Sequence, residues 1–105
     1  MGDSAADLEA RLVAIEGVTA GPSRLGSTRG FFVRGKEFAH FHEDDEIDVR
    51  LPPAQQREFM TLDPVRPRPH RSPWIAVRLE SEADVEIALD MLALAIETQV
   101  KEDSR

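Results

Sequence analysis

Cysteine is absent from the 105-residue chain, which excludes disulfide scaffolds, zinc ribbons and thiol nucleophiles. No apolar run reaches the 18 or so residues that a membrane-spanning helix needs. The opening Gly2-Asp3-Ser4 lacks the basic-then-apolar order of a secretion signal. These absences predict a cytoplasmic protein with no membrane partner. Basic residues are outnumbered, 13 Lys and Arg against 20 Asp and Glu, for a formal charge of -7. That balance repels a phosphate backbone unless the cations are segregated, and it argues against nucleic acid as a partner. No internal repeat or low-complexity block is present. What remains is an ordinary globular composition, 41% hydrophobic. A chain of this length buries roughly two-thirds of its unfolded surface, so residues 1–105 are expected to form one domain.

Hydrophobic spacing supplies the elements. Leu8, Leu12 and Ile15 recur at helical intervals across Ser4 to Glu16, with Ser4 and Asp7 spaced as a capping box and Gly17 as a stop. Val18 to Thr28 is rich in small and turn-forming residues and reads as a loop, with room for a short edge strand at Val18 to Ala20. Arg29 to Arg34 and Glu37 to His42 are β-rich runs separated by Gly35-Lys36, a hairpin in which glycine supplies a positive φ. Ile47 to Leu51 alternates apolar and charged residues as a half-buried strand does. Pro53 opens a short helix through Met60, with Phe59 and Met60 as packing residues. Asp63 to Pro73 holds four of the seven prolines and reads as an extended surface connection. Trp74 to Leu79 is a strand with Ile75, Val77 and Leu79 on its core side. Ser81, with Asp84 three residues on, caps a last helix whose stripe is Val85, Ala88, Leu89, Leu92, Ala95 and Ile96; Lys101 to Arg105 should fray. The predicted fold is α+β in the order α-β-β-β-α-β-α, a small antiparallel sheet of three or four strands with helices on one face.

The one dense group of reactive side chains is His40-Phe41-His42-Glu43-Asp44-Asp45-Glu46, followed by Asp48. A three-residue loop, Glu43-Asp44-Asp45, pairs His42 with Glu46, His40 with Asp48 and Phe38 with Arg50, and sends Ala39, Phe41, Ile47, Val49 and Leu51 to the other side. A two- or four-residue loop would mix the polar and apolar sets. The three-residue register therefore displays Phe38, His40, His42, Asp48 and Arg50 on an open sheet face, which Trp74, Ala76 and Arg78 join. That face could be a binding surface, a solvated array of cross-strand pairs, or a self-association surface in which a twin subunit buries Phe38 and Trp74.

Sharper chemistry is less well supported. Histidines at i and i+2 of a strand point the same way, and His70 or a carboxylate would complete a metal site. HFHEDDE is similar to the first metal motif of cupin barrels, but a cupin needs many strands and a second histidine motif. Ser72 follows His70 without the glycines of a nucleophile elbow, and Asp44 and Asp45 sit at a turn whose exposure keeps them ionised. Two basic segments, one with Arg24, Arg29, Arg34 and Lys36 and the other with Arg66, Arg68 and Arg71, would form an anion-binding patch if they were neighbours in space.

The segments GVTAGPSRLG, GKEFAHFH leading into an acidic turn, EIDVRLP, PHRSPWIAVRL and SEADVEIALDMLALA, in this order and spacing, resemble the luciferase-domain family of small bacterial and fungal proteins. The likeness runs from about Gly17 to Glu97. It implies a compact single-domain α+β module, and it places His40, His42, Asp48, His70 and Trp74 at recurrent positions. In general layout the chain is also similar to the YjbR-like domains, proposed to bind DNA through their strands. Together these readings predict a binding or interaction module without a cofactor, whose ligand-binding residues are His40, His42, Asp48, His70, Trp74, Arg50 and Arg78. Its partner would be a second copy, another protein or a small molecule. The alternative is a small-molecule or metal-dependent enzyme with a site at His40, His42 and His70.

Overall fold

The computed structural model describes residues 2–24, 29–68 and 72–104. Among these residues the chain runs α1 (Asp3–Val13), β1 (Val18–Pro22), β2 (Arg29–Val33), β3 (Lys36–Glu43), β4 (Glu46–Arg50), α2 (Pro53–Gln56), β5 (Val65–Pro67), β6 (Trp74–Arg78) and α3 (Glu82–Asp103). The strands form a single antiparallel sheet in the order β1-β2-β3-β4-β6-β5. The expected α+β class holds, but the sheet has six strands rather than three or four.

The two added strands lie where turn-forming residues and prolines masked them. All five residues of Val18–Pro22 pair with β2, so the edge strand is longer than Val18 to Ala20. Val65–Pro67 pairs with β6 from within the proline-rich connection. Pro67 is tolerated there because β5 is an edge, where a missing backbone donor breaks no second ladder.

Alternation explains which side of the sheet is covered. Phe31, Ala39, Phe41, Ile47, Val49, Leu51, Val65, Ile75, Val77 and Leu79 join Leu8 and Leu12 of α1 and Val85, Ala88, Met91, Leu92 and Ala95 of α3 in one buried cluster. Fully burying a leucine, valine or phenylalanine stabilises by about 1.5–3 kcal/mol each, so this layer dominates folding. The cap of α3 forms as expected: Ser81 Oγ accepts from the Asp84 N–H at 3.2 Å, and the Asp84 carboxylate accepts from the Glu80 N–H at 2.9 Å. Such a cap stabilises by about 1 kcal/mol.

Several boundaries differ from expectation. The N-cap of α1 is Gly2, with no side-chain cap, so the Ser4–Asp7 box is unused; Asp7 instead pairs with Arg11 one turn on, at 3.5 Å. Because α1 ends at Val13, Ile15 falls in the following turn and is exposed. Gly17, with φ +88°, completes that turn into β1 rather than stopping the helix. The second helix ends at Gln56, leaving Phe59 partly buried and Met60 exposed. At the far end α3 continues to Asp103, whose carboxylate meets Lys36 Nζ at 2.8 Å, so Lys101 to Asp103 are helical.

The β2–β3 turn is Arg34-Gly35 rather than Gly35-Lys36. Both residues have positive φ, 53° and 79°, as a two-residue hairpin of the primed type I kind requires.

Candidate functional site

Two irregularities in β3 build the polar side of the sheet. Between Phe31 and Phe32 the β2–β3 register shifts, so that Phe31 faces Ala39 while Phe32 faces Glu37. Phe38 is the extra residue of this bulge. Parity along β3 therefore changes by one: Glu37 and His40, three residues apart, share a face, and Phe38 turns into the helical core, where it is 1% exposed. This corrects two expectations. Phe38 is not on the open face, and it does not pair with Arg50, whose partner is Trp74 of β6.

The second shift lies between Phe41 and Glu43, because Glu43 pairs directly with Glu46. The loop is thus Asp44-Asp45, two residues rather than three, and His42 is the unpaired residue instead of facing Glu46. The expected pairs deeper in the hairpin survive, His40 with Asp48, Phe41 with Ile47 and Ala39 with Val49. A three-residue loop would favour a left-handed residue at Asp45, and Arg34 is the only described non-glycine residue with positive φ. A bulge at His42 achieves the same register without that cost.

On the resulting face His40 and Asp48 are buried, each 5% exposed. His40 Nε2 lies 3.1 Å from Asp48 Oδ2. Since an ionised carboxylate only accepts, Nε2 is the nitrogen that carries the hydrogen of this bond. His40 Nδ1 sits 3.0 Å from Glu37 Oε2 but out of line for a hydrogen bond. Glu37 is held by the Ser23 hydroxyl at 2.7 Å and the Arg24 N–H at 2.8 Å. On the other side Arg68 donates from Nη2 to Asp48 Oδ1 at 2.6 Å and to Glu46 at 2.7 Å, and its Nε lies 3.2 Å from the same Asp48 oxygen. The Trp74 ring stacks obliquely on His40, with centroids 4.6 Å apart.

Gly30 makes room for this arrangement. It lies directly across from His40, and a Cβ there would come within 3.2 Å of the Glu37 carboxyl carbon and 3.1 Å of the Ser23 Cα.

Burial pushes the Asp48 carboxyl up, but the hydrogen bonds from His40 and Arg68 outweigh it and hold the group below the usual carboxylate range. Desolvation likewise works against the Arg68 charge, and the Asp48 and Glu46 carboxylates more than restore it, so this guanidinium stays protonated.

The predicted residues divide into three groups. His40, Asp48 and Trp74 come together, with His42 at the margin, 46% exposed and 3.9 Å from Asp48. Arg50 and Arg78 do not join them: the Arg78 guanidinium binds Asp63 at 2.7 Å and Glu80 at 2.8 Å, and Arg50 lies 3.8 Å from Glu102. His70, like Arg71, lies outside the described residues. Sequence reasoning missed Glu37, which only the bulge brings round, and Ser23. Arg68 had been noted as a cation but not as the partner of Asp48; a buried aspartate in mid-strand, needing a cation, was the available signal.

The two basic segments are separated. Arg29 belongs to β2 and Arg66 to β5, with β3, β4 and β6 between them. Arg29, Lys36 and Arg68 are each engaged by carboxylates, so no joint anion patch forms from the described residues. Among those residues, too, no group of three or more histidine or acidic side chains is placed to hold a metal ion. Ser72 has a local role: its hydroxyl accepts from the Trp74 N–H at 3.0 Å.

These features define a small α+β domain whose sheet has one helical and one polar side. The chain belongs to the luciferase domain family, whose sequence model matches residues 35–95, the stretch from the β2–β3 turn into α3. No curated protein and no solved structure matches the chain. No helix of the described residues is long and apolar enough to cross a membrane.

Proposed function

We propose that the domain is a binding module that uses the side of its sheet away from α1 and α3. The observation that carries this reading is the polar line Glu37–His40–Asp48–Arg68, in which His40 and Asp48 are buried and the half-buried Trp74 lies against the His40 ring. Fixed charges and an aromatic plate beside exposed His42 offer a preorganised platform, so a ligand need not order these groups on binding. With Phe38 in the core, a twin subunit has less apolar surface to cover, which favours a small ligand or a polar protein surface over a homodimer. The net acidity weighs against nucleic acid.

A second reading, an enzyme, is supported by the His40–Asp48 pair, whose geometry is that of a base and its orienting carboxylate. Against it stands access. His40 is buried, and the shallow depression beside His42 is walled by Gly2, Glu43, Asp44 and Asp45 rather than by a second histidine. A general base must reach the proton it removes.

Trp74 is the single tryptophan and so reports on this face directly. A thermal-shift screen with metals and metabolites, followed by tryptophan emission, should find a ligand that stabilises the wild type, changes the emission, and loses its effect with His40→Ala. Hits that leave emission untouched would place binding elsewhere and overturn the reading. Turnover of a hit that disappears with His40→Ala would favour the enzyme.

A further inference from the structure

Beside the polar side, a cavity of about 370 Å³ opens between α2 and the connection that carries β5, lined by Pro53, Gln56, Arg57, Met60, Pro67 and Arg68. Its volume lies within the range of sites for small organic ligands. The walls are mostly uncharged. Gln56 is locked in place, because its Nε2 donates to the Leu51 and Ser72 carbonyls at 2.8 Å each. Met60 is 41% exposed, a large apolar side chain left in solvent at the rim. Arg68 already serves two carboxylates. Arg57 is different: it has no ion-pair or hydrogen-bond partner among the described residues, so the unpaired charge of this cavity is positive.

We propose that this cavity binds a small organic anion with an apolar body, its charged group on Arg57 and its body between Met60, Pro53 and Pro67. A guanidinium offers paired donors that match a carboxylate or phosphate oxyanion, while two prolines and a methionine present rigid and adaptable apolar surface respectively. Arg68 is shared with the polar line, but the assignment does not rest on the reading of the sheet face, since Trp74 and His40 do not line the cavity.

The test uses the whole chain and four probes followed by calorimetry: phenylacetate, phenyl phosphate, 2-phenylethanol and inorganic phosphate. Phenylacetate or phenyl phosphate should bind at least tenfold more tightly than both the neutral alcohol and bare phosphate, and the preferred one of the pair identifies the head group. Arg57→Gln, at an exposed position that should leave the melting temperature unchanged, should weaken that binding about tenfold, and Arg57→Lys should recover part of it. Absence of heat with both aromatic anions at millimolar concentration, or binding that Arg57→Gln leaves intact, overturns the proposal. Binding lost with Arg57→Gln but kept with His40→Ala, at constant Trp74 emission, upholds the cavity independently of the sheet face.

Discussion

On the helical side of the sheet, burial at the centre is carbon against carbon: Ile47, Val49, Ile75 and Val77 are fully buried in one apolar cluster with Leu92 and Met91, and the buried carboxylate of this side, Asp84, sits at the first turn of α3, where it accepts from the Glu80 N–H. On the opposite side His40 and Asp48 are nearly as deeply buried, yet each must find polar partners to be there, and finds them on β3, on β4 and at Arg68. The first kind of burial tolerates small shifts of position, because dispersion and the hydrophobic effect are non-directional. The second does not, because a hydrogen bond weakens steeply as it bends and an orphaned buried charge costs several kcal/mol. A polar layer of that kind adds little net stability but fixes a geometry, which is what a binding face requires.

Substitutions separate the two kinds of burial. Leu92→Ala, at a fully buried site, should cost about 2–5 kcal/mol in chemical denaturation, as removal of packed methyl groups does. Asp48→Ala should cost a similar amount, about 3 kcal/mol, for a different reason, since it leaves the buried His40 without its acceptor and Arg68 with Glu46 alone. The two differ in rescue. Adding His40→Phe to an Asp48→Val background should recover part of the loss, because an apolar pair needs no partner, whereas no polar substitution should rescue Leu92→Ala. Additive losses in the His40/Asp48 pair would mean the two residues are not coupled.

Gly30→Ala sharpens the contrast at smaller cost. The new methyl group would crowd the Glu37 carboxyl and the Ser23 backbone, and overpacking of this kind destabilises by about 1–3 kcal/mol. Ligands that depend on the polar face should weaken with it, while the cavity at Arg57 should not respond.

Acidity probes the polar side through Asp48. Because Asp48 titrates below its usual range in the folded chain, its ionised form adds stability above an unfolded-state pKa of about 3.9. That contribution is lost as pH falls through the lower folded-state value. The stability gap between wild type and Asp48→Asn should therefore narrow below about pH 4; a gap that widens there would contradict the assigned role of Asp48.

What could be read in advance follows the same division. Most of the α3 stripe, its Ser81 cap and the core positions Ile75, Val77 and Leu79 were legible, because apolar periodicity reports directly on a side that packs by carbon; within the stripe Leu89 and Ile96 are only partly buried, and the fully buried Met91 was not among the expected residues. The pairing of His40 with Asp48 was legible too, since only one register keeps Phe41 and Ile47 together. Phe38 was misplaced because a bulge leaves no periodic signal: one inserted residue reverses parity, and nothing local in GKEFAHFH marks where it falls. The two-residue loop gave the same deep register as a three-residue loop through a second bulge at His42, so the pattern alone could not separate them. β5 was hidden by its prolines, which exclude a central strand but permit an edge. Glu37 and Arg68, the partners that complete the polar line, depend on that bulge and that edge, and so were beyond reach of spacing arguments.

The polar side depends on His40 being a fixed, solvent-shielded donor to Asp48. Nitrogen-resolved NMR of the histidine side chains near neutral pH tests this most directly. The expected result is an imidazole Nε2–H signal from His40 that exchanges slowly with solvent and vanishes in Asp48→Ala, beside a His42 ring in fast exchange. A His40 ring exchanging as freely as His42, or one whose protected hydrogen survives the loss of Asp48, would contradict it.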